Sequence, residues 1–214
     1  MKVDRHGRAK LLTHEEIRLL FAEGCKVNPL RDRALFAVML YTACRINEAV
    51  SLRVADAYGS QGRVRPELII RKGTTKRKLA TRTIPIIQEL RVRLEAYRPP
   101  SWSQYLFPGR YGGHLSPDTG SWLLREACRR VGIEGVSTHS FRRTALTQMS
   151  NAGIPLRVIQ EVSGHRTLDE LYKYLEVAPT QVRGAVASLS LLAPVEAEGP
   201  TDEVKELIIQ RQLN

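Results

Sequence analysis

Cysteine is scarce in this 214-residue chain: Cys25, Cys44 and Cys128 are odd in number, widely spaced and without a C-x-x-C pair. A disulfide framework and a cysteine-based zinc site are therefore excluded, and reduced core thiols are the expectation. Long apolar runs are missing as well. No stretch approaches the roughly 18 uninterrupted apolar residues of a membrane span, and the basic start, Met1 to Lys10, lacks the apolar segment of a signal peptide, so a cytoplasmic protein is expected. Neither G-x-x-x-x-G-K-S/T nor G-x-G-x-x-G occurs, which leaves nucleotide hydrolysis without support. There is no internal repeat or low-complexity tract. The length suits one domain with an appendage, large enough to bury a proper core.

Positive charge, by contrast, is abundant. Lys plus Arg number 33 against 22 Asp plus Glu, a formal net charge of +11. The distribution says more than the total. Between Arg71 and Arg82 lie Arg71, Lys72, Lys76, Arg77, Lys78 and Arg82 with no acid, whereas from Ala193 to Asn214 five acids face two bases. A basic hairpin of this kind points to a nucleic-acid backbone; a solvated charged loop is the plainer alternative.

Two strings carry chemistry. One is His139-Ser140-Phe141-Arg142; the other is Gly164-His165, followed nine residues later by Tyr174. With Arg45 they supply two guanidiniums, two imidazoles and a phenol. A guanidinium presents a rigid fork of donors that matches two phosphate oxygens and stays charged at any working pH. Imidazoles donate hydrogen bonds or relay protons near neutrality, and the phenol can serve as nucleophile. This set suits chemistry on a phosphate without a metal or other cofactor.

Local signals place these residues on elements. Thr13-His14-Glu15-Glu16 reads as a capping box opening a helix to about Gly24. Asn28-Pro29 starts a second, apolar helix, and after Ala43 a short one begins at Arg45, with Glu48 one turn on and Ile46, Ala49 and Val50 inward. Glu67 to Arg71 and Thr81 to Ile86 read as the strands of a hairpin with a basic tip. Helices resume at about Gln88 to Tyr97 and, from the Ser116-Pro117 start, to about Val131. Thr138 is expected to cap a helix carrying His139 and Arg142 on one face. Pro155 opens another, ended by Ser163-Gly164, so that His165 projects from a turn into a cleft. Trp102, Trp122 and the methionines read as core or loop anchors, and His6, His14 and His114 as structural imidazoles. Gln181 to Leu192 is amphipathic; Pro194 to Pro200 is linker-like, before a last helix at 202–212.

The chain resembles the tyrosine recombinases, or phage integrases. The likeness rests on Thr42-Ala43-Cys44-Arg45-Ile46-Asn47-Glu48 with Ser51-Leu52-Arg53, the hairpin ending Arg82-Thr83-Ile84-Pro85, His139-Ser140-Phe141-Arg142, and Ser163-Gly164-His165 with Tyr174-Leu175-Glu176-Val177. A lone H-x-x-R means little; four boxes in order, from about Leu12 to Leu192, are specific.

The resemblance implies an α+β, mainly α, catalytic domain over 1–192 with a small antiparallel sheet and a basic arm over 1–11, then a linker and helix over 193–214. It implies site-specific breaking and rejoining of double-stranded DNA. Tyr174 would attack phosphorus and leave a 3′-phosphotyrosyl bond. Arg45 and Arg142 would clamp the non-bridging oxygens, His139 would take part in proton transfer with the tyrosine, His165 would hydrogen-bond the phosphate, Glu48 would orient Arg45 or its neighbours, and a hairpin lysine would protonate the leaving oxygen. Family spacing to Pro85 favours Lys76 for that lysine, with Lys72 and Lys78 as alternatives.

Lys72, Arg77, Lys78, Arg143 and Arg166 are the expected backbone contacts, although the H-x-x-R spacing gives the phosphate to Arg142 and leaves Arg143 to the surface or a carboxylate. Tyr172 lies two residues before Tyr174, so on a helix only one of them can face the phosphate, and Tyr172 is left to packing. An ordinary phenol ionises near pH 10, so only about 0.1 % is phenolate at pH 7, a handicap of roughly 4 kcal/mol that nearby cations must offset.

Self-assembly from dimer to tetramer on DNA, nucleoid association and an accessory DNA-binding factor follow from the same likeness. So does a C-terminal segment that docks on a neighbouring protomer. Most family members carry a further DNA-clamping domain before the catalytic one, so the chain is expected to be either a short member or a catalytic fragment. Two other readings stay open: a type IB topoisomerase that relaxes DNA, and a DNA-binding regulator without catalysis.

Overall fold

A computed structural model describes residues 9–71, 81–177 and 179–192. Lys72, Lys76, Arg77 and Lys78, the arm before Ala9 and the expected helix at 202–212 lie outside these residues. Contacts group the chain into two compact units that divide between Glu176 and Val177.

The first unit is built around α2 (Pro29–Tyr41). Asn28 caps it by accepting from the Arg31 N–H, and Pro29 at the first helical position has the right φ and no amide to satisfy. Every residue from Ala34 to Leu40 is buried, so this helix is apolar all round and runs through the core rather than over it. Before it come α1 (His14–Leu19), whose Thr13–Glu16 capping box forms as expected, and a π-helical turn, Leu20–Gly24. After it come α3 (Ile46–Val50) and α4 (Val54–Ala57).

Strands β1 (Glu67–Ile70) and β2 (Arg82–Pro85) pair antiparallel, with Leu68 opposite Ile84 and Ile70 opposite Arg82. Leu68, Ile70 and Ile84 are buried. Because side chains alternate along a strand, Arg82 shares the inward face with Ile84.

Four more elements surround α2 and the hairpin: α5 (Gln88–Ala96), α6 (Pro117–Arg130), α7 (Thr138–Asn151) and α8 (Leu156–Ser163), followed by the short α9 (Leu168–Tyr172). Phe141 on α7 meets Phe36 on α2 with ring centroids 5.6 Å apart, tying the H-x-x-R helix to the centre of the molecule. A smaller apolar cluster of Ala43, Leu146, Ile159, Leu171 and Leu175 lies beneath Tyr174. The second unit contributes α10 (Pro179–Ala187) and a 3-10 turn, Ser188–Leu192. The fold is thus mainly helical with one small antiparallel sheet.

Three local expectations are corrected. Ser137, not Thr138, is the N-cap of α7, exchanging hydrogen bonds with Ser140, and Thr138 is the first helical residue. Trp102 and Trp122 are 70 % and 50 % exposed, so neither anchors the core. Tyr174 sits in the turn after α9 rather than on a helix. The three cysteines are buried and unbridged, and burial pushes the Cys25 thiol up to about 12, well away from the thiolate range. Among the described residues no helix is long and apolar enough to cross a membrane.

Candidate active site

The link between α2 and α3 sets the first arginine. Ala43 adopts a left-handed conformation, φ 50°, unusual for a residue with a Cβ, and turns the chain so that Arg45 becomes the N-cap of α3. The Glu48 carboxylate accepts the Arg45 backbone N–H at 2.8 Å, and the Arg45 side chain is left at the edge of a cavity. Arg45 Nη1 stands 3.5 Å from Glu48 Oε1, beyond a hydrogen bond, and has no other partner.

The second arginine comes from α7, where His139 and Arg142, three apart, share a face. His139 is exposed on the rim. Arg142 is only 1 % exposed and its guanidinium joins segments far apart in the chain. Nη1 donates to the Ala43 carbonyl, and Nη2 donates to the Ser163 carbonyl at 2.9 Å. Burial, and next the neighbouring Arg45, push the Arg142 guanidinium down to about 10, which still leaves it charged at neutral pH.

Helix α8 ends at Gly164, which closes it in the left-handed conformation, φ 63° and ψ 38°, with its N–H on the Gln160 carbonyl at 2.8 Å. The chain then turns back and buries His165. Its Nδ1 lies 2.8 Å from Ser163 Oγ and its Nε2 lies 2.9 Å from Arg142 Nη2. Nη2 also lies 3.4 Å from Nδ1, so the guanidinium stands against the ring face rather than in line with Nε2, and Ser163 is what assigns the proton to Nδ1. Ser163 Oγ can take that proton's bond because it directs its own to the Gln160 carbonyl at 3.2 Å. Burial first, then Arg142, Arg45 and Arg82, push the His165 imidazole down to about 3. Ser163 and Arg142 thus hold the imidazole in place at the wall of the cavity.

Tyr174 completes the group. Its N–H donates to the Leu171 carbonyl at 2.9 Å and its own carbonyl accepts from Thr147 Oγ1 at 3.2 Å, which fixes the turn. Its ring lies 4.9 Å from that of His165, centroid to centroid, and 5.5 Å from Arg142 Cζ. A cavity of about 350 Å³ is lined by Arg45, His139, Arg142, His165 and Tyr174 together. Arg166, exposed, lies on the same cavity. Tyr172, 53 % exposed, is not among the lining residues.

Arg143 is the corrected site residue. It is 6 % exposed, donating to the Ala9 carbonyl and paired with the Glu176 carboxylate, so it ties the chain together rather than facing a nucleic acid. The basic run is also less open than its sequence suggests. Arg71 pairs with Asp56 at 2.6 Å and Arg82 with Glu48 at 2.9 Å. Lys173, Glu170 and Asn47, given no role in the sequence reading, line the cavity as well. Lys173 was signalled only by its place beside the tyrosine. Among the described residues no three His, Cys, Asp or Glu side chains converge on a metal-sized site.

The depressed His165 value makes a pH prediction. The unfolded chain holds its imidazole proton below about 6.5, whereas the fold refuses it until near 3. The stability this contributes is complete above about 6.5 and is lost as pH falls from there towards 3. Between pH 7 and pH 5 the wild type should lose about 2 kcal/mol more than His165→Asn in urea unfolding; parallel pH curves would show that the imidazole is not held neutral.

A sequence model of the phage integrase family matches residues 10–181. The chain therefore belongs to that family. It is 32% identical over 188 residues to the tyrosine recombinase XerA of Pyrococcus furiosus, an alignment covering 86% of this chain and 63% of that protein. The fold matches a crystal structure of XerA recombinase at a TM-score of 0.68 and 22% identity, covering 83% of this chain and 64% of the other. It also matches a XerH site-specific recombinase bound to its difH substrate, in a pre-cleavage complex, at a TM-score of 0.60 and 19% identity, covering 87% and 56%. The chain spans less than two thirds of the length of the XerA relative.

Proposed function

We propose that the chain cleaves and rejoins double-stranded DNA at specific sites through Tyr174. The observation that carries this is the meeting, in one cavity, of a half-buried phenol with two guanidiniums and two imidazoles drawn from four separate segments. The Tyr174 oxygen attacks a backbone phosphorus; the P–O5′ bond breaks, a 3′-phosphotyrosyl bond forms, and a 5′-hydroxyl departs. The phenol proton passes to His139 at the rim, and a lysine of the 72–80 segment, Lys76 by spacing, protonates the leaving oxygen. Attack by a 5′-hydroxyl on the phosphotyrosine reverses every step and rejoins the strand.

Arg45 and Arg142 meet charge that grows as phosphorus becomes five-coordinate, so their effect falls on rate more than on affinity. Lys72, Arg77, Lys78 and Arg166 serve as DNA-backbone contacts. The names and substrates of the relatives support the reading, as does the +11 charge. Assembly of two to four copies on DNA, an accessory DNA-binding factor, a cytoplasmic, nucleoid-associated location, and the division into a catalytic 1–192 and a following linker and helix belong to the same proposal.

The test is incubation with a library of nicked suicide duplexes, which release a short fragment on cleavage and so trap the covalent state. Adducts carrying a free 5′-hydroxyl, recovered on DNA that converges on one sequence, are expected. Adducts on unrelated sequences would favour relaxation of any DNA. No adduct at all would overturn the proposal.

A further inference from the structure

A second heavily engaged arginine beside the site is Arg82, the first residue of β2. Its guanidinium takes both oxygens of the buried Glu48, at 3.2 and 2.9 Å, and its Nε donates to the Val162 carbonyl at 3.2 Å. It also packs on Gly164 so closely that a Cβ there would fall 2.9 Å from Nη1 and 3.1 Å from Cζ. One side chain thus joins β2 to α3 on one side and to the last turn of α8, just before His165, on the other.

Glu48 has a competing partner in Arg45. A carboxylate and a guanidinium left to themselves close to about 2.8 Å, yet Arg45 Nη1 stays at 3.5 Å from Oε1 without a hydrogen bond. The two carboxylate oxygens are already occupied by the Arg82 fork and by the Arg45 backbone N–H. Burial is the largest influence on Glu48 and works against its charge, but the hydrogen bonds and charge of Arg82, together with the N–H and charge of Arg45, outweigh it and hold the carboxyl below the ordinary range, so an ionised carboxylate stands beside Arg45 near neutral pH.

We propose that Arg82 is a positioning residue: by holding both oxygens of Glu48 it keeps the Arg45 guanidinium in the cavity for the scissile phosphate, and it anchors the Gly164–His165 turn to the same strand. The inference rests on the DNA-cleavage reading. Without Arg82, Glu48 draws Arg45 back and away from the phosphate. A lysine at 82 offers a point charge in place of a fork and cannot hold both oxygens.

Single-turnover adduct formation, DNA binding and thermal melting of Arg82→Ala, Arg82→Lys and the double variant Arg82→Ala/Glu48→Gln test this. Arg82→Ala should form adduct about 100-fold more slowly while its DNA affinity stays within about threefold. Arg82→Lys should recover only part of the rate. The double variant should regain at least about tenfold, because a glutamine still accepts the Arg45 N–H but exerts no pull on its guanidinium. It also leaves no buried carboxylate unpaired, so it reads out even where Arg82→Ala folds poorly. A rate within about threefold of wild type in Arg82→Ala, an affinity loss in step with the rate, or no recovery in the double variant would overturn the proposal.

Arginine side-chain ¹⁵N spectra give a readout that needs no reaction. The Arg45 signals, assigned through Arg45→Lys, should show hindered guanidinium rotation in Arg82→Ala and lose it in the double variant. Unchanged Arg45 signals would refute the positioning role by themselves. A wild type that forms no adduct would refute the cleavage reading instead.

Discussion

Tyr174→Phe is expected to form no covalent adduct on suicide DNA, a fall of at least about 10⁴-fold, while binding the same DNA as the wild type does. The phenylalanine ring keeps the packing that places the tyrosine, against the His165 ring at 4.9 Å and below Arg142 Cζ at 5.5 Å. Only the hydroxyl goes. Its loss costs the fold about 1 kcal/mol or less, so the melting temperature should hold within a few degrees. Tyr172 offers no substitute nucleophile. It ends α9 outside the cavity, and the turn that follows is pinned by the Leu171 and Thr147 hydrogen bonds to Tyr174. Persistence of an adduct in Tyr174→Phe would move the nucleophile elsewhere and remove the basis of the mechanism.

Arg142→Ala is expected to lower the rate of adduct formation by at least about 10³-fold and to weaken the fold at the same time. The guanidinium satisfies the Ala43 and Ser163 carbonyls and packs against the His165 ring. An alanine leaves both carbonyls without that partner, at about 1–3 kcal/mol for each. The strained Ala43 turn that presents Arg45 loses its tie, and the ring of His165 loses the guanidinium packed against it. Both guanidiniums are therefore affected by one substitution. Affinity for DNA, which rests on many backbone contacts, should change much less than rate. Urea unfolding and single-turnover assays at one salt concentration measure the two effects; a stability loss with an unchanged rate would make Arg142 purely structural.

Much of the fold was legible because its signals are local. Thr13, Asn28 and Ser116 cap helices through side chains that reach only three residues on, and Gly164 ends α8 by its own conformational freedom. The β-like runs at 67–71 and 81–86 marked the hairpin strands. The end of α9 was misread because Tyr172 and Tyr174 both suit a helix, whereas the Thr147 and Leu171 bonds that hold the turn are tertiary and i−3 contacts. Trp102 and Trp122 were misplaced because side-chain apolarity does not say which face of a loop or helix finds a partner.

By itself the sequence determined the candidate site groups and their order: Arg45, the His139–Arg142 pair, His165 and Tyr174, each marked by a short string whose spacing survives any packing. Tertiary structure alone decided how those groups share their hydrogen bonds. Arg142 turns inward to Ala43, 99 residues away, while its neighbour Arg143 is taken by Glu176, 33 residues away. Arg82 looked like one base among six, and became the partner of Glu48 only when β2 was laid beside α3, 34 residues apart in the chain. His165 likewise meets Arg142, 23 residues away, only in the packed chain. The physical reason is reach. Capping, periodicity and motif spacing act over a few residues, but a buried charge is assigned to whichever opposite charge the packed chain brings within about 3 Å, and no rule of local sequence contains that distance.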